Sequence, residues 1–196
     1  MAHMFSPGRR QCAALATLAL FTTVSVALAE DKPEVYNATA QLKTAAGASV
    51  TAPVTITINR WTTDAEREKA VGALKAGGSS AFQKQVAAMP DVGVLQLGAV
   101  KTPIRFARSL PVSGGKVVTL ATAQPVLYVG AGMPGSKPTD KAGYDVAVVI
   151  FQVDAAGKGD AGDFSPAAKV RFDDTGALQV EDYAAEAVRL MGIVKK

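Results

Sequence analysis

The sequence predicts a mainly β, α+β fold: an antiparallel β-sandwich or curled barrel carrying a short helical hairpin. Three observations predict it. Segments of alternating apolar and polar residues recur from residue 34 onward, short glycine-bearing turns separate them, and only the stretch around 63–90 changes to helical spacing. No strand–helix–strand repeat supports a parallel, nucleotide-binding sheet, and no fixed-period internal repeat divides the chain.

The elements follow in order. "EVYNATAQL" puts Tyr36, Ala38, Ala40 and Leu42 on one parity, as a half-buried strand requires, and "KTAAGASVTAP" reads as a loop of small polar residues. "VTITINRW" separates Val54, Ile56 and Ile58 from Thr55, Thr57 and Asn59, the clearest single-face strand in the chain. The period then changes. Thr63 and Glu66 form a capping box, Ala70, Val71 and Leu74 give an inner stripe, and Gly77-Gly78 end the first helix. Ser80 and Gln83 repeat the box, and Phe82, Val86 and Met89 face one way until Pro90. "VGVLQLG", "TPIRFARSL", "KVVTLATA" and "VLYVG" return to strand patterning. "YDVAVVIFQVD" is apolar on both parities and therefore belongs at the centre of a sheet. "AAGKGD" connects it to "DFSPAAKVRF", after which "ALQVEDY" and "AVRLMGIV" complete eight or nine strands.

The first 29 residues read as a cleavable export signal. Arg9 and Arg10 precede the uncharged run "CAALATLALFTTVSVA", and Ala27-Leu28-Ala29 matches the small-x-small pattern before Glu30. The expected organisation is thus a signal peptide over 1–29 and a single β-rich domain over 30–196, with no membrane span after cleavage and a periplasmic or extracellular destination. A retained anchor is the alternative. The paired arginines raise twin-arginine export, which Gln11 and Cys12 continue poorly. The precursor has 21 basic and 17 acidic residues; loss of Arg9 and Arg10 leaves 19 against 17, too even for a nucleic-acid footprint. Cleavage also removes His3 and Cys12, the only histidine and the only cysteine. Disulfides, thiolate nucleophiles, Cys/His zinc sites and histidine triads are then excluded together.

Candidate chemistry is sparse. "VGAGMPGSKPT" contains Gly135-Ser136-Lys137, the wrong order for a Walker loop, with Pro138 where a helix should start. It reads as a surface connection, with a ligand lid as the functional alternative. Ser113 and Lys116 have Ser-x-x-Lys spacing, but the glycines between them predict a hairpin turn. Asp154, Asp160 and Asp163 are a weak calcium set without the EF-hand order; turn chemistry is the simpler account. Asp145, Asp173, Glu181 and Asp182 are available to a carboxylate-based hydrolase, yet their linear spacing establishes no convergence. Trp61 beside Arg60, and Arg105 and Arg108 flanking Phe106, are the ligand-binding candidates if their elements adjoin; corner packing and ion pairing are the structural account of the same residues.

"TITINRWTTDAERE", "YDVAVVIFQVDAAGKGD" and "VEDYAAEAVRLMGIV" together resemble a family of secreted, uncharacterised bacterial proteins, over 54–194. The resemblance implies an exported domain and supplies no catalytic residue and no cofactor. The functional expectation is an exported, non-enzymatic binding or interaction module for an unknown small molecule or envelope protein, with no cofactor and no nucleic-acid partner. A cofactor-independent hydrolase and a structural envelope protein are the alternatives. Intact mass and N-terminal sequencing of the exported protein should report a chain starting at Glu30; retention of residues 1–29 would restore His3 and Cys12 to the list of usable groups.

Overall fold

The alternating segments form strands, and a ring of hydrogen bonds organises them. The computed structural model describes residues 32–43, 49–126, 143–174, 176–183 and 188–196, which belong to the compact unit Asp31–Lys196. The expected signal, the "VGAGMPGSKPT" loop and nearly all of the "VLYVG" strand lie outside the described residues. The elements are β1 (Glu34–Lys43), β2 (Ser49–Ile58), α1 (Asp64–Ala87), β3 (Gly93–Leu97), β4 (Val100–Val112), β5 (Gly115–Thr122), β6 (Val146–Asp154), β7 (Lys158–Phe172), β8 (Leu178–Tyr183) and β9 (Val188–Lys195).

Every pairing is antiparallel. The order β6-β5-β4-β3-β2-β1-β9-β7 returns to β6 through the β6–β7 ladder, so the sheet closes as an eight-stranded barrel. β8 adds no position to the ring. Ala168 pairs with Val146 of β6 and Tyr183 of β8, while Phe164 pairs with Val149 of β6 and Val188 of β9. Hence β8 and β9 lie in succession along one edge of the 15-residue β7. Of the two architectures predicted, the barrel is realised because "YDVAVVIFQVD" has a partner on each side.

The barrel interior is packed rather than hollow. Tyr36, Ile56, Leu95, Ile104, Leu120, Phe151, Phe164 and Leu190 belong to one buried cluster, and the rings of Tyr36 and Phe151 meet edge-on at 5.1 Å. Outward positions on β1, β2, β3 and β9 include Asn37, Thr39, Thr55, Thr57, Gln96 and Arg189, alternating with that cluster. Val35, Val94 and Met191 share that outer face, which is therefore mixed where the enclosed face is apolar.

A second core lies between the outer face and α1. Ala70, Phe82 and Val86 pack with Phe106, Val146, Val148, Ala168, Val170 and Leu178, and Phe82 sits edge-on to Phe106 at 6.2 Å and to Phe172 at 6.0 Å. β6 is therefore buried on both faces, with Ala147, Val149 and Phe151 inward and Val146 and Val148 under the helix. That is the physical origin of its unbroken apolar run.

The two predicted helices follow one another in α1 and part where expected, at Gly77 and Gly78, which leave helical angles. Two local readings change. β2 begins at Ser49, because Ser49 to Pro53 pair with Lys43 to Thr39, with Val50 and Ala52 packed against the inner cluster. β7 begins at Lys158, inside "AAGKGD": Gly159 is a close-approach residue, since a Cβ there would lie 2.1 Å from the Gln152 carbonyl oxygen. Phe82→Ala should destabilise the fold by about 3–5 kcal/mol, measured by urea unfolding.

Candidate functional site

The four ligand-binding candidates separate into two groups. Arg60 donates to Glu66 through both terminal nitrogens at 2.9 Å and to the Trp61 carbonyl at 3.2 Å. Arg108 donates to Asp64 at 2.9 Å and lies on the outer face of β4 beside Thr119 of β5. Arg105 pairs with Asp91 and donates to the carbonyls of Ala87 and Met89. Arg60 and Arg108 thus hold the start of α1, and Arg105 holds its end. The three guanidiniums do not converge with Trp61 on one surface; they fasten the helix to the barrel through carboxylates and terminal carbonyls.

The start of α1 is the most heavily bonded of these points. The Thr63 hydroxyl accepts from the Glu66 N–H at 3.3 Å, and the Glu66 carboxylate accepts from the Thr63 N–H at 2.9 Å, completing the predicted capping box. The Arg60 guanidinium, followed by these Thr63 bonds and opposed by burial, holds the Glu66 carboxyl down at about 2.

Trp61 behaves differently. Its half-buried ring packs against the barrel's inner cluster, and Lys116 Nζ lies 5.2 Å from its centroid. Lys116 leads to a feature that no linear spacing announces. Its ammonium donates to the Glu34 carboxylate at 2.7 and 2.9 Å, Lys195 pairs with the same carboxylate at 3.0 Å, and the buried Tyr36 hydroxyl donates to it as well. Burial pushes the Glu34 carboxyl up, but the bonds from Lys116, Tyr36 and Lys195 outweigh it, and the group sits below the usual carboxylate range. Burial and then the bond to Glu34 raise the Tyr36 phenol well above its ordinary value.

This cluster borders a groove of about 460 Å³ at one end of the barrel, lined by Gly115, Lys116, Val153, Asp154, Gly157 and Lys195 among others. The β6–β7 turn forms one wall. Gly157 has φ +78°, and a Cβ there would meet Lys195 Cβ at 2.5 Å; the Lys195 N–H donates to the Gly157 carbonyl at 2.8 Å. Glycine at 157 therefore shapes the turn and seats Lys195 against it. Both ammoniums retain donors beyond those used by Glu34, so the groove combines small apolar residues with two ammoniums and the Asp154 carboxylate.

The acidic candidates have local duties. Asp154 accepts the Lys158 N–H at 2.8 Å. Asp163 pairs with Arg189 at 3.6 Å, and Asp160, three residues away on β7, is exposed. No group of three or more His, Cys, Asp or Glu able to hold a metal is found among the described residues. Asp145 accepts from the Ser80 hydroxyl at 3.2 Å and the Gly143 N–H at 3.1 Å, Asp173 accepts from the Ala177 N–H at 2.9 Å, and Asp182 accepts from the Tyr144 hydroxyl. Glu181 is exposed on β8. Of these acids only Asp154 lines the groove. Ser113 sits in the exposed β4–β5 turn, as predicted, while Lys116 points its amine to Glu34.

No protein-family model matches the chain, and neither a curated protein nor a solved structure matches it.

Glu66 supplies a pH test. Its folded carboxyl is depressed from 4.5 to about 2, so its contribution is complete above the unfolded value and is lost as pH falls through the folded one. Glu66→Gln should cost about 1 kcal/mol at neutral pH and should flatten the stability profile between those two values, measured by urea unfolding across the acid range.

Proposed function

We propose that the protein is a non-enzymatic binding module whose contact surface is the groove at the Glu34–Lys195 end of the barrel. The observation that carries this reading is the Lys116–Glu34–Lys195 cluster beside a groove of about 460 Å³, a volume within the range of small-molecule sites. Glu34 fixes both ammoniums before a ligand arrives, which lowers the ordering cost of binding. The ligand class this lining suits is a small organic molecule with an apolar body and an acceptor group. Trp61, under Lys116, is the part of the sequence-predicted aromatic surface adjoining this groove.

Export to the periplasm or outside the cell is part of the same proposal, supported by the arginine-flanked apolar leader and the Ala27-Leu28-Ala29 pattern. No helix among the described residues is long and apolar enough to cross a membrane. The secreted bacterial family named from the sequence belongs to the proposal too, on the strength of its quoted motifs.

Because Trp61 is the only tryptophan, its emission reports on Lys116. Screening small carboxylates and sulfonates with apolar bodies should identify a compound that changes this emission and shifts the amide resonances of Lys116, Asp154, Gly157 and Lys195. Lys116→Gln should weaken that compound about tenfold, roughly the value of one charged hydrogen bond. Shifts confined to another face, or no binder in such a set, would overturn the assignment.

A further inference from the structure

A second cavity, of about 70 Å³, lies on the outer wall of the barrel, away from the groove. Phe106, Arg108 and Leu110 of β4 and Thr119 of β5 line one side, and Arg67 of α1, Gly176 and Ala177 of the β7–β8 turn and Leu178 of β8 line the other. Arg108 and Thr119 are cross-strand partners, so their outward side chains enter the space together.

The charge balance here is uneven. Arg108 is paired with the exposed Asp64. Arg67 takes part in none of the ion pairs among the described residues, and its Nε–H is buried without a hydrogen-bond partner. No carboxylate is among the residues lining the cavity, and Asp173 of the same turn accepts from the Ala177 N–H at 2.9 Å and from the Gln179 amide at 3.0 Å. The turn also makes room for the guanidinium. Gly176 has φ +75°, and a Cβ on it would lie 2.8 Å from Arg67 Nη1. A buried guanidinium N–H without an acceptor is strongly unfavourable, and two guanidiniums beside one small space favour a negative occupant over a neutral one.

We propose that this cavity binds a small monovalent anion of halide size, held by Arg67 and Arg108 with the Thr119 hydroxyl as a further donor. The volume sets the class. At ~30 Å³ per water molecule, the space holds about two waters' worth of ligand, too little for a phosphoester or a sugar. The anion would tie α1 to the β7–β8 turn across the outer face.

The test uses the full chain and bromide as probe, titrated at constant ionic strength against gluconate, which is too large for the cavity. Bromide should raise the melting temperature saturably by about 3–5 °C, Arg67→Met should abolish the rise, and Thr119→Val should shift its midpoint to higher bromide. An equal rise in Arg67→Met, or no saturable rise in the parent, would overturn the site. Anomalous diffraction from bromide-soaked crystals of the parent keeps the proposal testable if Arg67→Met fails to fold. A peak between Arg67 and Arg108 is expected; a cavity containing only water at a concentration that saturates the thermal response would refute it.

Discussion

The pairing of β6 with β7 is the interaction on which the rest of the structure depends. Without that ladder the strands would form an open sheet with two unpaired edges, and the apolar inner residues would need a second layer to cover them. With it, the sheet covers itself. Closure leaves α1 free to cover the outside, where it buries the opposite face of β6. Gly162 sits in this ladder and Gly159 lies beyond its last pair, toward the turn, and at both a Cβ would approach β6 closely. Their place is set by the distance between strands more than by turn formation.

Closure also makes the groove. Glu34 begins β1, Lys116 lies near the start of β5 and Lys195 ends β9, so the cluster unites residues separated by 82 and 79 positions along the chain. A linear scan sees an isolated acid, a turn lysine and a basic tail. Only the cyclic order of the strands brings them to one rim. The arginines chosen from the sequence were legible as a charged, aromatic corner, and the structure uses them to fasten both ends of α1. The capping box at Thr63 and Glu66 identified the helix start because that signal is complete within four residues.

Legibility followed the range of the interaction. Strand alternation in β2 and the two-sided apolar run of β6 were readable because burial imprints a period on neighbouring residues. The choice between sandwich and barrel was not readable, since both impose the same alternation on each strand. Ser49 to Pro53 escaped notice because the inward Val50 and Ala52 are small and stand between Ser49 and Pro53, residue types that favour turns. Arg67 gave no sequence signal either. Its surroundings are set by the turn at Gly176, more than a hundred residues along the chain.

One practical consequence comes from β9. The Lys196 N–H donates to the Val35 carbonyl at 2.8 Å, immediately after the lysine that borders the groove. A purification tag or fluorescent reporter joined behind Lys196 would therefore emerge beside the groove proposed as the contact surface and crowd it. The Gly98–Ala99 turn, between β3 and β4 at the far end of those strands, is the better point of attachment for immobilising the domain with its rim open to solution.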